Sequence, residues 1–333
     1  MLITRAPHRV SFFGGGSDFL DHIKVVNSHS SVFGMAIDRY SYVAATFPQM
    51  AVKDKFRISY SKTDNASFLR DLKHELAREV LCYFSFDGQI HISSMSDVPA
   101  ESGLGTSSAF TVALVTLVTK KIKKNFSKKE IAIVAYEIER NIVGYVGGIQ
   151  DHLWASFGGV GYINLKNKNY YVSKISNKMK YQLNKNSYIC YLGKSRNSSE
   201  LQKKNIKKSR EKFKNITSSR NSLAIQSNEF YKNSKNMSKL EFSEYFEFEL
   251  KKSWQLKKDQ IIINKDIFEL LDKFQKYDLS FKLCGAGGTG FTYFYISSQK
   301  KLKRLKEYLY SKNLYLNPIS YRDYGVEIIY NDE

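Results

Sequence analysis

The chain has 333 residues, of which 42% are hydrophobic and 14% aromatic, so it reads as a folded protein of one large or two ordinary domains. An excess of 52 Lys and Arg over 32 Asp and Glu leaves a formal charge of +20, which raises a nucleic acid as one candidate partner. No stretch reaches the ~18 uninterrupted apolar residues of a membrane helix, and residues 1–7 lack the form of a signal peptide. The three cysteines (Cys82, Cys190, Cys284) are far apart and suggest reduced thiols in a cytoplasm, while the six histidines make no metal-ligand spacing.

Residues 2–6 and 9–13 read as short strands around Pro7. Gly14-Gly-Gly-Ser-Asp18 follows, a loop that brings bare backbone close to a ligand and ends in a carboxylate. The same segment also reads as an N-terminal strand and turn with surface charges. Residues 32–37 and 40–46 look like further strands, and residues 67–84 have helical spacing at Phe68, Leu72, Leu76 and Val80.

A strand-like segment at 89–94 then runs into Asp97-Val-Pro-Ala-Glu-Ser-Gly-Leu-Gly-Thr-Ser-Ser-Ala-Phe110 and an apolar helix over residues 109–118. Gly103 and Gly105 permit a tight turn, and Thr106, Ser107 and Ser108 put hydroxyls where the first helical N–H groups lack partners. Such a start suits a phosphate, although a glycine turn with a serine cap is the plainer alternative. A P-loop is excluded, because Gly105 is followed by Thr106 and not by lysine. The dinucleotide fingerprint fits poorly, since Ser108 stands where its third glycine belongs.

Ser127-Lys-Lys-Glu130 is a capping-box pattern that opens a helix with Ile131, Val134, Ala135 and Ile138 on one face. Glu139 lies near its end, and Gly144-Tyr-Val-Gly-Gly-Ile-Gln-Asp151 brings a second carboxylate after the glycines. The two acids can meet around one site, with a surface role for Glu139 as the alternative. Residues 166–185, rich in Asn, Lys and Tyr, read as a crossing between domains. A strand at 188–192 feeds Gly193-Lys-Ser-Arg-Asn-Ser-Ser199, a cationic loop suited to an anion. Most of the basic run at 203–214 reads as a solvated helix face, with steering of an anionic substrate as its other use. Helices at 239–258 and 266–274 follow. Gly285-Ala-Gly-Gly-Thr-Gly290 satisfies Gly-x-Gly-x-x-Gly, but a strand at 291–296 comes next where a dinucleotide site needs a helix. A helix at 301–309 and a strand at 325–330 end the chain.

Three of these segments together resemble the motifs of the GHMP kinase superfamily: Arg5-Ala-Pro-His-Arg-Val-Ser-Phe-Phe-Gly-Gly-Gly-Ser-Asp18, Pro99-Ala-Glu-Ser-Gly-Leu-Gly-Thr-Ser-Ser-Ala109 and Ser280-Phe-Lys-Leu-Cys-Gly-Ala-Gly-Gly-Thr-Gly-Phe291. They occur in order across nearly the whole chain, with Ser17 and Thr289 as departures. The resemblance implies an α+β, two-domain fold: an N-terminal kinase domain over residues 1–175 and a C-terminal ferredoxin-like sandwich over 176–333. It implies ATP and Mg²⁺ as cofactors. Pro99, Ser102, Gly103, Leu104, Gly105, Thr106, Ser107 and Ser108, with Gly287 and Gly288, would hold the nucleotide. Ser108 and Glu139 would hold the metal, and Asp151 would act on the attacking hydroxyl. Arg5, His8, Arg9, Gly15, Gly16, Ser17 and Asp18 would bind the acceptor, and Lys194, Ser195 and Arg196 its phosphate.

Within the superfamily the segments are most similar to the heptose 7-phosphate kinases. That implies a cytoplasmic enzyme that phosphorylates the anomeric hydroxyl of D-glycero-D-manno-heptose 7-phosphate and feeds activated-heptose synthesis for surface polysaccharide. An anomeric kinase for an unphosphorylated sugar (fucose- or galactose-like) is the alternative within the class, and a sugar sensor on the same fold another. A basic nucleic-acid-binding protein is the alternative outside it; the kinase reading expects neither nucleic acid nor membrane as a partner and leaves a homo-oligomer open.

Overall fold

The structure, a computed structural model, describes residues 1–19, 30–50, 53–166, 169–193, 213–258, 261, 263–285 and 290–332. Lys194, Ser195, Arg196, Gly287 and Gly288 lie outside the described residues, as does most of the basic run after Gln202.

The first sheet is built from β1 (Leu2–Phe13), β2 (Ser30–Thr46), β3 (Phe56–Ser59), β4 (Thr63–Ala66), β5 (Ile90–Ser96), β6 (Val160–Lys166) and β7 (Asn169–Lys174). The second holds β8 (Ser187–Tyr191), β9 (Ser280–Leu283), β10 (Phe291–Tyr295) and β11 (Leu316–Pro318). The last strand, β12 (Glu327–Asn331), returns to the first sheet and pairs antiparallel with β1. The helices are α1 (Glu75–Tyr83), α2 (Thr106–Lys121), α3 (Lys128–Tyr136), α4 (Gln150–Phe157), α5 (Asn177–Asn186), α6 (Phe213–Ser234), α7 (Lys239–Lys258), α8 (Lys265–Lys276) and α9 (Gln299–Tyr310).

The expected pairs of short strands are each one long strand. β1 runs through Pro7, and its register with β2 shifts between Pro7 and Arg9. An irregularity there is how a strand accommodates a residue without an N–H. Residues 67–84 are helical only in part: a single 3₁₀ turn (Leu69–Asp71) precedes α1. The Asp64 carboxylate accepts from the Lys73 and His74 amides, and His74 caps α1, so the chain turns there.

In the second sheet the spatial order is β11-β8-β10-β9, all antiparallel. That is the fourth-first-third-second arrangement of a ferredoxin-like sandwich, with α9 in the second crossover. Phe274, Phe281, Phe294, Leu305 and Leu309 fill its core. A separate core of Leu2, Val43, Ile58, Ile90, Val112 and Leu117 lies between the first sheet and α1–α3.

An aromatic cluster joins the two parts. Phe12 and Phe13, at the end of β1, sit 5.1 Å from Phe246 and 4.6 Å from Phe230, and Phe12 lies 4.9 Å from Tyr293. All five rings are buried, each worth roughly 1.5–3 kcal/mol on burial. The strand that carries Arg9 and opens into Gly14–Asp18 is therefore anchored to the C-terminal helices.

Candidate active site

The phosphate-loop candidate meets α2 at Gly105, which has the left-handed φ of 78° and offers no side chain to cap the helix. Every residue from Ser108 to Thr119 is buried, a helix apolar all round held in the core. The hydroxyls of Thr111, Thr116 and Thr119 donate to carbonyls four residues earlier, so their burial leaves no orphan donor. The helix start thus remains available to an anion.

The loop is backed by the segment before β10. A Cβ on Gly103 would meet the Cys284 carbonyl oxygen at 2.8 Å, and one on Gly285 would meet Gly103 Cα at 2.5 Å. The Phe291 amide donates to the Ser102 carbonyl at 3.0 Å. This close approach requires glycine on both sides. Of the other loop residues, Pro99 is exposed, Thr106 and Ser107 are partly exposed, and Ser102 and Leu104 are buried.

Arg9 connects loop and acid. Its Nε and Nη2 donate to the two oxygens of Asp151 at 2.8 and 2.6 Å, and Nη1 donates to the Gly103 carbonyl at 2.7 Å. Burial would weaken the guanidinium's hold on its proton, but Asp151 more than reverses this. Asp151 sits in the first turn of α4, and its Oδ2 lies 3.4 Å from where a Cβ on Gly105 would be. One acid therefore stands at the entrance to the helix start, in a bidentate grip.

Asp18 lies on the other side. It is fully buried and accepts from the Gly16 amide at 3.0 Å, the Gln150 amide at 3.1 Å and the Gln150 side chain at 3.0 Å. Burial raises its pKa and nearby Asp151 adds to the rise. Gly148 is a glycine because the carboxylate occupies the place of its Cβ, at 1.9 Å. Gly147 makes room in the same way for the Arg140 guanidinium, at 2.5 Å.

Glu139 is fully buried within a π-helical turn (Glu137–Ile142) that continues α3. The wider turn points the acid inward, which excludes the surface alternative. Its Oε2 lies 2.6 Å from His152 Nε2, its Oε1 lies 3.4 Å from Arg140 Nη1, and Oε1 also accepts from the Ser107 hydroxyl. Burial favours the neutral acid, yet His152, Arg140 and Ser107 bring it down to about 2.

The geometry separates several residues that the sequence grouped. Ser107, and not Ser108, meets Glu139; the Ser108 hydroxyl is buried and faces Arg140 Nη2 at 3.4 Å. Arg5 pairs with Glu327 of β12 at 2.8 Å and covers the Tyr40 ring, roughly 13 Å along the strand from Arg9. His8 is buried, with Nε2 3.2 Å from Ser96 Oγ, and burial lowers it to about 4. Ser17 is also buried and donates to the Gly14 and Ser31 carbonyls, so it shapes the turn. Gly15 packs near Ser11 and Gln150, and a Cβ on Gly16 would face open space. Arg140 and Gln150 had no sequence signal beyond their closeness to Glu139 and Asp151.

A helix start open to anions has one acid gripped at its entrance and a second beside a hydroxyl, an arrangement suited chemically to a phosphate and a metal ion. Residues 69–159 match the family profile described as GHMP kinases N terminal domain. A D-glycero-alpha-D-manno-heptose 7-phosphate kinase of Campylobacter jejuni subsp. jejuni serotype O:2 is 29% identical over 245 residues, 71% of this chain and 69% of that protein. A galactokinase of Chloroflexus aurantiacus is 31% identical over 174 residues, 48% of this chain and 42% of its own length. Among solved structures, a D-glycero-D-manno-heptose 1-phosphate kinase from Bacteriodes thetaiotaomicron superposes over 100% of both chains with TM-score 0.73 at 19% identity, which bears on the fold alone. Residues 69–159 thus correspond to a GHMP kinase N-terminal domain, and the relatives that this chain resembles are kinases.

Proposed function

We propose that the chain transfers the γ-phosphoryl group of ATP to the anomeric hydroxyl of a sugar, D-glycero-D-manno-heptose 7-phosphate first among candidates. The observation that carries the reading is the Arg9–Asp151 fork at the entrance to the phosphate loop. The relative from Campylobacter jejuni supports the choice of sugar.

In this reading the backbone N–H groups of residues 103–108 cradle the β- and γ-phosphates. Asp151, oriented by Arg9, takes the acceptor proton as the hydroxyl oxygen bonds to phosphorus and ADP leaves. Asp18 accepts hydrogen bonds from sugar hydroxyls, and Gln150 fixes its carboxylate. Ser107 and Glu139 bring hard oxygen donors together, a set that suits Mg²⁺ when phosphate oxygens and water complete it. Mg²⁺ bound there would neutralise charge on the phosphates. Ser108 stands apart from that pair, because its hydroxyl faces Arg140 and it is Ser107 that meets Glu139.

We place the domain division near residue 175, with β12 returning to the first domain. A cytoplasmic location belongs to the same proposal, supported by three free cysteines. No helix among the described residues is long and apolar enough to cross a membrane.

The similarity to galactokinases favours a second reading, with an unphosphorylated sugar as acceptor. Steady-state kinetics on heptose 7-phosphate, free heptose, galactose and fucose separate the two. A kcat/KM for heptose 7-phosphate well above the rest is expected, and equal efficiency on phosphorylated and free heptose would sink the first reading. Arg196→Ala should selectively weaken use of the sugar phosphate if the loop at 193–199 holds that phosphate.

A further inference from the structure

Two lysines lie behind the candidate phosphate loop, Lys282 buried and Lys257 partly buried. Lys257, near the end of α7, donates from Nζ to the Leu283 carbonyl at 2.7 Å and to the Gly285 carbonyl at 2.6 Å. Lys282, on β9, donates to the Phe12 carbonyl at 2.8 Å and to Ser253 Oγ at 3.1 Å. Among the described residues, neither ammonium meets a carboxylate. Burial lowers Lys257 to about 8, with Arg9 adding to the fall against the opposing influence of Cys284. Burial first, then Lys257, lowers Lys282 well below the ordinary lysine range. A lysine shielded from water with only carbonyl and hydroxyl partners holds its positive charge at a cost. A polyanion in the adjoining loop would offset that cost.

The segment that Lys257 holds is the one that touches the loop. Its two carbonyl partners flank Cys284, whose own carbonyl lies against Gly103, and Gly285 packs on Gly103 Cα. We propose that Lys257 is a positioning residue for the nucleotide phosphates: it pins residues 283–285 against the phosphate loop and supplies a fixed positive charge behind it. Lys282 ties the same strand to the end of β1, which carries Arg9, so both lysines and Arg9 are held in one frame. The assignment rests on the ATP-dependent reading and is independent of which sugar is the acceptor.

The test is calorimetric titration of Mg·ADP at pH 7 without sugar, on wild type and on Lys257→Gln, Lys257→Met and Lys257→Arg, alongside melting temperatures. Lys257→Gln keeps donors but not charge, and Lys257→Arg keeps both. The Gln and Met variants should lose about tenfold in ADP affinity, the order expected of one unit charge in a partly enclosed site. They should raise the KM for ATP with the acceptor KM unchanged, and Arg should restore most of the affinity. Wild-type ADP affinity in a folded Gln variant would overturn the proposal, as would a folded Arg variant no better than Gln. Absence of ADP binding by the wild type would overturn it together with the kinase reading.

Discussion

Arg9 and Asp151, 142 residues apart in the chain, form a two-point ion pair with contacts of 2.8 and 2.6 Å, and the same guanidinium reaches the Gly103 carbonyl. The pair couples the acid to the phosphate loop. Asp151→Asn should therefore lower kcat by ~10²–10⁴ and leave ADP affinity within a small factor of wild type. Arg9→Lys keeps the charge but loses the fork, and should also lower kcat. Near-normal turnover in Asp151→Asn would remove Asp151 from the chemistry.

The metal role can be divided between neighbouring serines. Ser107→Ala and Glu139→Gln should each raise the Mg²⁺ concentration that gives half-maximal activity, because these two side chains meet. Ser108→Ala should shift the titration less. A larger shift in Ser108→Ala than in Ser107→Ala would restore the assignment expected from sequence.

The glycines at 147 and 148 serve two charged side chains. Gly148→Ala would put a methyl group 1.9 Å from Asp18 Oδ2, so the carboxylate must move. The expected result is an acceptor KM raised by about tenfold or more with ADP affinity retained, since hydrogen bonds to a charged group are worth ~1.5–3 kcal/mol. Unchanged acceptor KM would show that Asp18 does not bind the acceptor.

Acid should destabilise the fold in two stages. His8 is lowered to about 4 from an ordinary 6.5, so the folded state resists its protonation; the stability tied to the neutral ring is full above 6.5 and lost as pH falls towards 4. Glu139 is lowered to about 2 from 4.5, so its contribution is full above 4.5 and lost as pH falls towards 2. Each shift corresponds to roughly 3 kcal/mol. Urea midpoints measured from pH 7 to pH 3 should fall throughout, and His8→Gln should flatten the upper part of the curve. An unaltered slope above pH 4.5 in that variant would exclude His8 as its source.

Local chemistry was readable along the chain. The capping box at Ser127 forms as its spacing requires, with the Glu130 carboxylate on the Ser127 amide and the Glu130 amide on the Ser127 hydroxyl. The all-apolar composition after Ser108 marked a buried helix, and the strand after Gly290 excluded a dinucleotide site. These readings succeed because their causes act within a few residues: capping, glycine conformations and apolar periodicity need no distant partner.

The partners of charged side chains were a different matter. Arg5 and Arg9 look equivalent in sequence, yet one pairs with Glu327 on the returning β12 and the other with Asp151 on α4. Ser107 and Ser108 both begin α2, but neighbouring helix positions face about 100° apart, so only Ser107 reaches Glu139. Lys257 and Lys282 gave no signal amid so many lysines. The sequence by itself marked the buried helix with its glycine-rich start, and its family resemblance implied the α+β plan. Tertiary structure alone decided which cation met which acid, because that depends on strand order and long-range closure, and burial then selects the few pairs that can be held without water.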